Sequence, residues 1–176
     1  MSPLNDHILV QRIKLGDRRA AEKLIDGHYE RVYAILYGFC RNRETAEDLT
    51  QETFLNAWQS IHRFAGLSRV STWLYRIAYN AFIDWRRKQK PVQTFDELLH
   101  EQSEEKQFDD VTEKLLQSVR NLPEKQREVI LLHYQHDLTF SEIAGILDIP
   151  KGTVKSRLNA ALTTLRQSEI IKELKK

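Results

Sequence analysis

From Pro91 to Asp110 the chain loses helical periodicity and turns acidic and Gln-rich, and this interruption limits what the rest can fold into. Between Asp96 and Glu113 stand eight acidic residues against one lysine, Lys106. The helical pattern just before carries Arg86, Arg87, Lys88 and Lys90, so basic modules flank an acidic connector. On either side apolar residues recur at helical spacing. With only six glycines and four prolines in 176 residues, tight turns are too few for a β-rich fold. The expectation is an all-α chain: two small helical domains, 5–90 and 111–170, joined by a flexible acidic linker, 91–110.

Upstream of the linker the pattern predicts helices from about Asp6 to Leu15, Arg18 to Phe39, Arg43 to Ile61, and Ser71 or Thr72 to Lys88. A loop from His62 to Val70 contains Gly66, and Pro91 bars continuation of the fourth helix. Downstream, helices are expected over Val111 to Asn121, Glu124 to Gln135, Ser141 to Leu147 and Lys151 to Glu169.

The segment from Leu138 to Pro150 has the parts of a helix-turn-helix. Thr139 and Glu142 form a Thr-x-x-Glu capping box. Ala144 is small where crossing helices approach, and Pro150 suits the mouth of the next helix. In that helix Val154, Leu158, Ala161 and Leu165 make one apolar stripe. Gly152, Ser156, Asn159 and Thr163 fall opposite, with Lys155 at their edge; small, polar and cationic groups of this kind can enter a DNA major groove. Lys151 and Arg157 flank the face, within reach of phosphates.

Two further faces lie in the N-terminal module. In the third helix Ala46, Leu49, Thr53, Ala57 and Ile61 run inward, while Asp48, Gln51, Glu52, Leu55 and Gln59 share the other side. One large aliphatic among carboxylates and amides suits docking onto a protein with basic and apolar patches. The fourth helix is expected to bury Trp73, Leu74, Ile77, Ala78 and Ala81, leaving Arg76, Asn80, Ile83 and Arg87 as a second stripe. Arginines neutralise phosphates, Asn hydrogen-bonds base edges, and the rings of Tyr75 and Tyr79 can stack on unpaired bases.

Enzyme chemistry has no foothold. Glu44, Glu47, Asp48 and Glu52 lack an accompanying Glu-x-x-His pair, and His28, His62, His133 and His136 share no ligand spacing. No catalytic residue, metal site or cofactor is expected. Cys40 is the single cysteine, expected as a small buried side chain. The first ten residues hold no apolar signal segment, and no run reaches the ~18 apolar residues of a membrane span, so a cytoplasmic protein without membrane insertion is expected.

Four stretches, in this order, carry a family resemblance: Asp48-Leu49-Thr50-Gln51-Glu52-Thr53-Phe54; Ser71-Thr72-Trp73-Leu74-Tyr75-Arg76-Ile77-Ala78-Tyr79-Asn80; Leu122-Pro123-Glu124-Lys125-Gln126-Arg127; and Ile149-Pro150-Lys151-Gly152-Thr153-Val154-Lys155-Ser156-Arg157. Together they resemble the extracytoplasmic-function sigma factors of bacterial RNA polymerase, over about Asp6 to Arg166. The resemblance implies that Asp48, Gln51, Glu52 and Leu55 hold the β′ clamp helices of core polymerase. It implies that the loop Ala65, Gly66, Leu67, Ser68, Arg69 to Ser71 captures a flipped base of the −10 element, with Asn80 at the melted strand and Arg76 and Arg87 on phosphates. Lys151, Lys155, Ser156, Arg157 and Asn159 would then meet the −35 element, and the second domain would pack on the β flap. The linker would run towards the RNA exit channel. Promoter DNA and core polymerase are the implied partners, an anti-sigma factor is a further one, and a stress or envelope signal is the implied stimulus; when active the protein would sit on the nucleoid.

The chain departs from the family pattern twice. Ala65 and Leu67 stand where a basic and an acidic residue are usual, and Asn159-Ala160 replaces an aromatic or His followed by Arg. The alternative is a stand-alone helix-turn-helix repressor or activator, which would have no use for the Asp48-to-Leu55 face.

Overall fold

The computed structural model describes residues 3–89 and 110–167, with side chains over 5–89 and 115–167. The expected linker therefore lies outside the described residues except for Asp110. The chain divides into two compact units, Met1–Leu99 and His100–Lys176. Every regular element among the described residues is helical.

The first unit is a four-helix arrangement: α1 (Pro3–Lys14), α2 (Arg18–Cys40), α3 (Arg43–Ser60) and α4 (Val70–Lys88). Gly16, at φ +88°, makes the sharp exit from α1, because the left-handed region favours a residue without Cβ. The Asp17 side chain then caps α2 by accepting from the Ala20 N–H at 3.1 Å. Asn42 caps α3 in the same way, accepting from the Thr45 N–H at 2.7 Å. Between them Arg41 takes φ 56° and ends α2.

Val10, Val32, Ile35, Leu36, Phe39, Leu49, Leu74, Ala78 and Phe82 close the core of this unit. The rings of Phe39 and Phe82 lie 5.3 Å apart, and Tyr79 meets Phe39 edge-on at 5.8 Å. Thr50 and Thr53 face inward at no stability penalty from an unpaired hydroxyl: each donates to the carbonyl four residues back, at 2.7 Å. Cys40 is only half-buried; its thiol donates to the Asn42 carbonyl at 3.4 Å, and partial burial raises its pKa.

One polar pair sits inside this core. Asp6 and His28 are both buried, and the His28 ring nitrogen Nε2 lies 3.1 Å from Asp6 Oδ2. Burial depresses the imidazole's pKa, against the pull of Asp6, so a neutral ring donating from Nε2 fits the site.

The second unit contains α5 (Asp110–Arg120), α6 (Glu124–Ile130), α7 (Phe140–Leu147) and α8 (Lys151–Gln167). Leu132, Val129, Ile143, Ile146, Val154 and Ala161 form its centre. A single helix was expected from Glu124 to Gln135. Instead, α6 ends at Ile130 and residues Leu131–Gln135 widen into a π turn. Asp137 follows at φ 54°, and the Leu138 N–H returns to the Leu132 carbonyl at 3.2 Å, which tucks Leu138 into the core.

Candidate polymerase and nucleic-acid interfaces

On α3 the predicted division of faces holds. Ala46, Leu49, Thr53 and Ala57 are buried, and Asp48, Gln51, Glu52, Leu55 and Gln59 are exposed. Leu55 is 63% exposed, and beside it, one turn on, Trp58 is 50% exposed. Sequence reasoning overlooked Trp58, although its three-residue spacing from Leu55 places both on one surface. Two large apolar groups ringed by carboxylates and amides are costly to leave in water and suited to burial against a partner.

The loop after α3 begins with a 3₁₀ turn, Ile61–Arg63, and its irregular part is shorter than expected. Helix α4 starts at Val70, whose buried side chain draws the first turn inward, and the Trp73 N–H bonds the Arg69 carbonyl at 3.1 Å. Ser71 therefore belongs to the first turn of α4, half-buried, and not to the loop. Ala65, Gly66, Leu67, Ser68 and Arg69 are all exposed. Gly66 adopts φ +74°, and Leu67 at 93% exposure touches almost nothing. Phe64 is the buried anchor, its ring 5.0 Å from that of Trp73.

Along α4, Arg76, Asn80 and Arg87 are exposed as expected and Ile83 is half-buried. Arg87 lies 3.4 Å from Asp84 on the adjacent turn, an exposed pair that a phosphate could readily displace. Two expectations fail. Tyr75 is 3% exposed and belongs to the core, so its ring has no free face for a base. Trp73 and Ile77 are half-buried where full burial was expected. The cause is a slight rotation of the inward stripe: Leu74, Tyr75, Ala78, Ala81 and Phe82 occupy it instead. Tyr79 is half-buried against Phe39 and Phe82. Arg86 covers the Phe82 ring at 5.6 Å.

In the second unit the capping box, the turn and the apolar stripe of the helix-turn-helix appear as expected. Thr139 and Glu142 form a complete capping box: the Glu142 N–H reaches Thr139 Oγ1 at 3.3 Å, and the Thr139 N–H reaches Glu142 Oε2 at 2.9 Å. Asp148, at φ 52°, terminates α7 and turns the chain into α8. Val154, Leu158, Ala161 and Leu165 are buried. Lys151, Gly152, Lys155, Ser156, Asn159 and Thr163 are exposed, and Arg157 is half-buried. A Cβ added to Gly152 would meet nothing within 4 Å, so no packing inside the chain demands a glycine there. Ser156 donates its hydroxyl to the Thr153 carbonyl at 3.0 Å, leaving its oxygen mainly as an acceptor.

The Leu122-to-Arg127 motif has a structural explanation that the sequence did not reveal. Leu122 is buried, Pro123 opens α6, and Arg127, 4% exposed, donates to the carbonyls of Arg120 and Leu122 at 3.3 Å each. These contacts fasten the junction of α5 and α6. The same junction makes a shallow groove with α8, lined by Lys125, Gln126, Ser156, Arg157 and Ala160 among others. No group of three or more potential metal ligands occurs among the described residues. Nor is any described helix long and apolar enough to cross a membrane.

Comparison with known proteins gives both units counterparts. The family model for Sigma-70 region 2 matches residues 24–92, and that for Sigma-70 region 4 matches residues 112–165. The ECF RNA polymerase sigma factor SigW of Bacillus subtilis is 32% identical over 174 residues, covering 90% of this chain and 93% of the relative. The ECF RNA polymerase sigma-E factor of Haemophilus influenzae is 32% identical over 171 residues, covering 88% and 90%. Among solved structures, the sigma factor RpoE of Bartonella quintana, in complex with the anti-sigma factor NepR, superposes with a TM-score of 0.69. It is 25% identical and covers 86% of this chain and 96% of that one.

Proposed function

The chain belongs to the extracytoplasmic-function sigma factors of the sigma-70 family, and from that premise we propose how its surfaces divide the work of transcription initiation. It is a sigma factor, not a stand-alone repressor or activator: it joins RNA polymerase core and directs initiation at promoters. Its family is one of initiation factors, and we assign no catalytic step or cofactor to this chain.

In this reading the exposed face of α3 docks on the β′ clamp helices. Leu55 and Trp58 supply the apolar contact; Asp48, Gln51 and Glu52 pair with basic and amide groups around it. The loop Ala65, Gly66, Leu67, Ser68 and Arg69 takes a flipped −10 base, with Ser71 at its foot. Asn80 reads the melted strand, while Arg76 and Arg87 hold its phosphates. Tyr75 takes no part, being sealed in the core. Helix α8 enters the −35 major groove with Lys155, Ser156 and Asn159 towards bases and Lys151 and Arg157 towards phosphates. The second domain also packs on the β flap, and the acidic linker 91–110 runs towards the RNA exit channel. An anti-sigma factor is an expected regulator, as the NepR complex is for the Bartonella relative. The proposed setting is the cytoplasm, on the nucleoid when active, with a stress or envelope signal as stimulus.

The observation that carries this reading is the pairing of Leu55 and Trp58 on an acidic α3 face, in a chain that also holds a helix-turn-helix. Neither DNA binding alone nor the fold of the first unit requires those two side chains in water. The test is in vitro transcription by polymerase core on genomic fragments, with and without this chain. Promoter-specific transcripts that depend on the chain are expected. Tight, sequence-specific binding of duplex DNA without core, and no new transcript with it, would overturn the reading.

A further inference from the structure

The loop 64–69 is held by a helix far from it in sequence. Helix α1 presents His7 and Lys14 seven residues apart, hence on one face. The half-buried Lys14 donates from Nζ to the Phe64 carbonyl at 2.8 Å, across 50 residues of chain. The His7 ring lies 5.7 Å from the Phe64 ring. Its Cδ2 and Nε2 atoms stand 3.7 Å from the position that a Cβ on Gly66 would occupy. Helix α1 is itself fastened to the unit through buried Leu9, Val10 and Ile13 and through the Asp6–His28 bond. One end of the loop is thus tied to a rigid body by a charged hydrogen bond and floored by an imidazole, while Leu67 is left at 93% exposure.

We infer that α1 is a strut for promoter reading: Lys14 and His7 are positioning residues that fix the loop 64–69 for the −10 base without touching DNA themselves. The inference rests on the proposed role of that loop. A cation at the Phe64 carbonyl restrains the backbone two residues before Gly66, which adopts φ +74°. The imidazole blocks the loop from collapsing onto α1. Both contacts narrow the conformations from which Leu67 and Ser68 are presented, and a restrained loop discriminates better because less ordering entropy is lost on binding.

The experiment compares Lys14→Met and Lys14→Arg with wild type, using Leu67→Ala and Asn80→Ala as markers of the reading itself. Reconstituted holoenzyme selects from a promoter library randomised over the −10 element, and affinity for core is measured in parallel. Limited trypsin digestion of the full chain follows cleavage after Arg63 and Arg69, at the two ends of the loop. For Lys14→Met we expect unchanged core affinity, a −10 preference weakened about two- to tenfold, and faster cleavage at both arginines, as for loss of one hydrogen bond. Lys14→Arg, which keeps a donor, should restore both. Wild-type logo and cleavage in Lys14→Met, with an altered logo in Leu67→Ala or Asn80→Ala, would refute the strut and leave the loop's role standing. Unaltered logos in both marker variants would refute the loop's role, and the strut with it, whatever the cleavage pattern. A uniform loss of promoter affinity with an unchanged logo would make Lys14 a phosphate contact and overturn the inference as well.

Discussion

At the scale of single residues, Asn159 and Arg157 stand two positions apart on α8, one exposed and one half-buried, and should behave differently. Asn159 is fully presented on α8, and its amide can pair bidentately with adenine N6 and N7, a contact giving about 1–3 kcal/mol of discrimination. Asn159→Ala should therefore relax preference at one adenine of the −35 element. A −35 selection giving identical logos for wild type and variant would remove base reading from that residue. Arg157 is half-buried beside Ser156 and Ala160; if it meets a phosphate as proposed, Arg157→Ala should weaken binding at every sequence and lower the salt slope by about one. His28 leads to a prediction of another kind. Burial lowers its pKa in the fold, so the unfolded chain takes up the proton first. The contribution of the neutral ring to stability is complete above the unfolded value of about 6.5 and declines as pH falls below it. Asp6 favours the charged ring, whereas Arg31 disfavours it. Melting of the first unit at pH 7.5 and 5.5 should show that loss in wild type, and a smaller loss in His28→Leu. An equal pH dependence in both would show that His28 does not titrate on unfolding.

Among the elements, α3 offers the sharpest test, because one side is buried in the core and the other is exposed. Asp48 and Leu55 contribute nothing to the core, so Asp48→Arg with Leu55→Ala should abolish co-purification with polymerase core and leave circular dichroism unchanged. Retained binding with an intact fold would remove the docking role from this face. Trp58→Ala should weaken the same binding, since large exposed aromatics are frequent anchors of interfaces. The α3 faces were legible in the sequence because alternation of polar and apolar residues at helical spacing is a local property. Helix α8 was legible for the same reason, and the Thr139–Glu142 box announced the start of α7. What escaped was whatever depends on exact rotation or on distant chain. Trp73, Tyr75 and Ile77 lie within four positions of one another, near the edges of the buried stripe, and periodicity cannot say which tyrosine is sealed. Nor could it announce that Arg127 reaches back to the carbonyls of Arg120 and Leu122, or that Lys14 meets Phe64. The π turn at Leu131–Gln135 likewise leaves no mark on the apolar pattern.

For the whole molecule, the two units carry separate cores and an uneven distribution of probes. Trp58, Trp73 and Trp85 all lie in the first unit. Tryptophan fluorescence therefore follows the first unit alone, while far-ultraviolet dichroism follows both. Leu132→Ala removes a fully buried side chain from the second unit and should destabilise it by about 2–5 kcal/mol. The dichroism transition should broaden or split towards lower temperature, and the fluorescence midpoint should stay in place. A parallel shift of both signals would mean that the units unfold as one. The loop 64–69 has a consequence on a longer timescale. Leu67 is almost wholly outside the packing of the first unit, and substitutions at such positions usually change stability by no more than about 0.5 kcal/mol. If this loop reads the −10 element as proposed, gene copies can drift at that site and change promoter preference in single mutational steps. No compensating change elsewhere has to come first, and every intermediate remains folded and able to compete for polymerase.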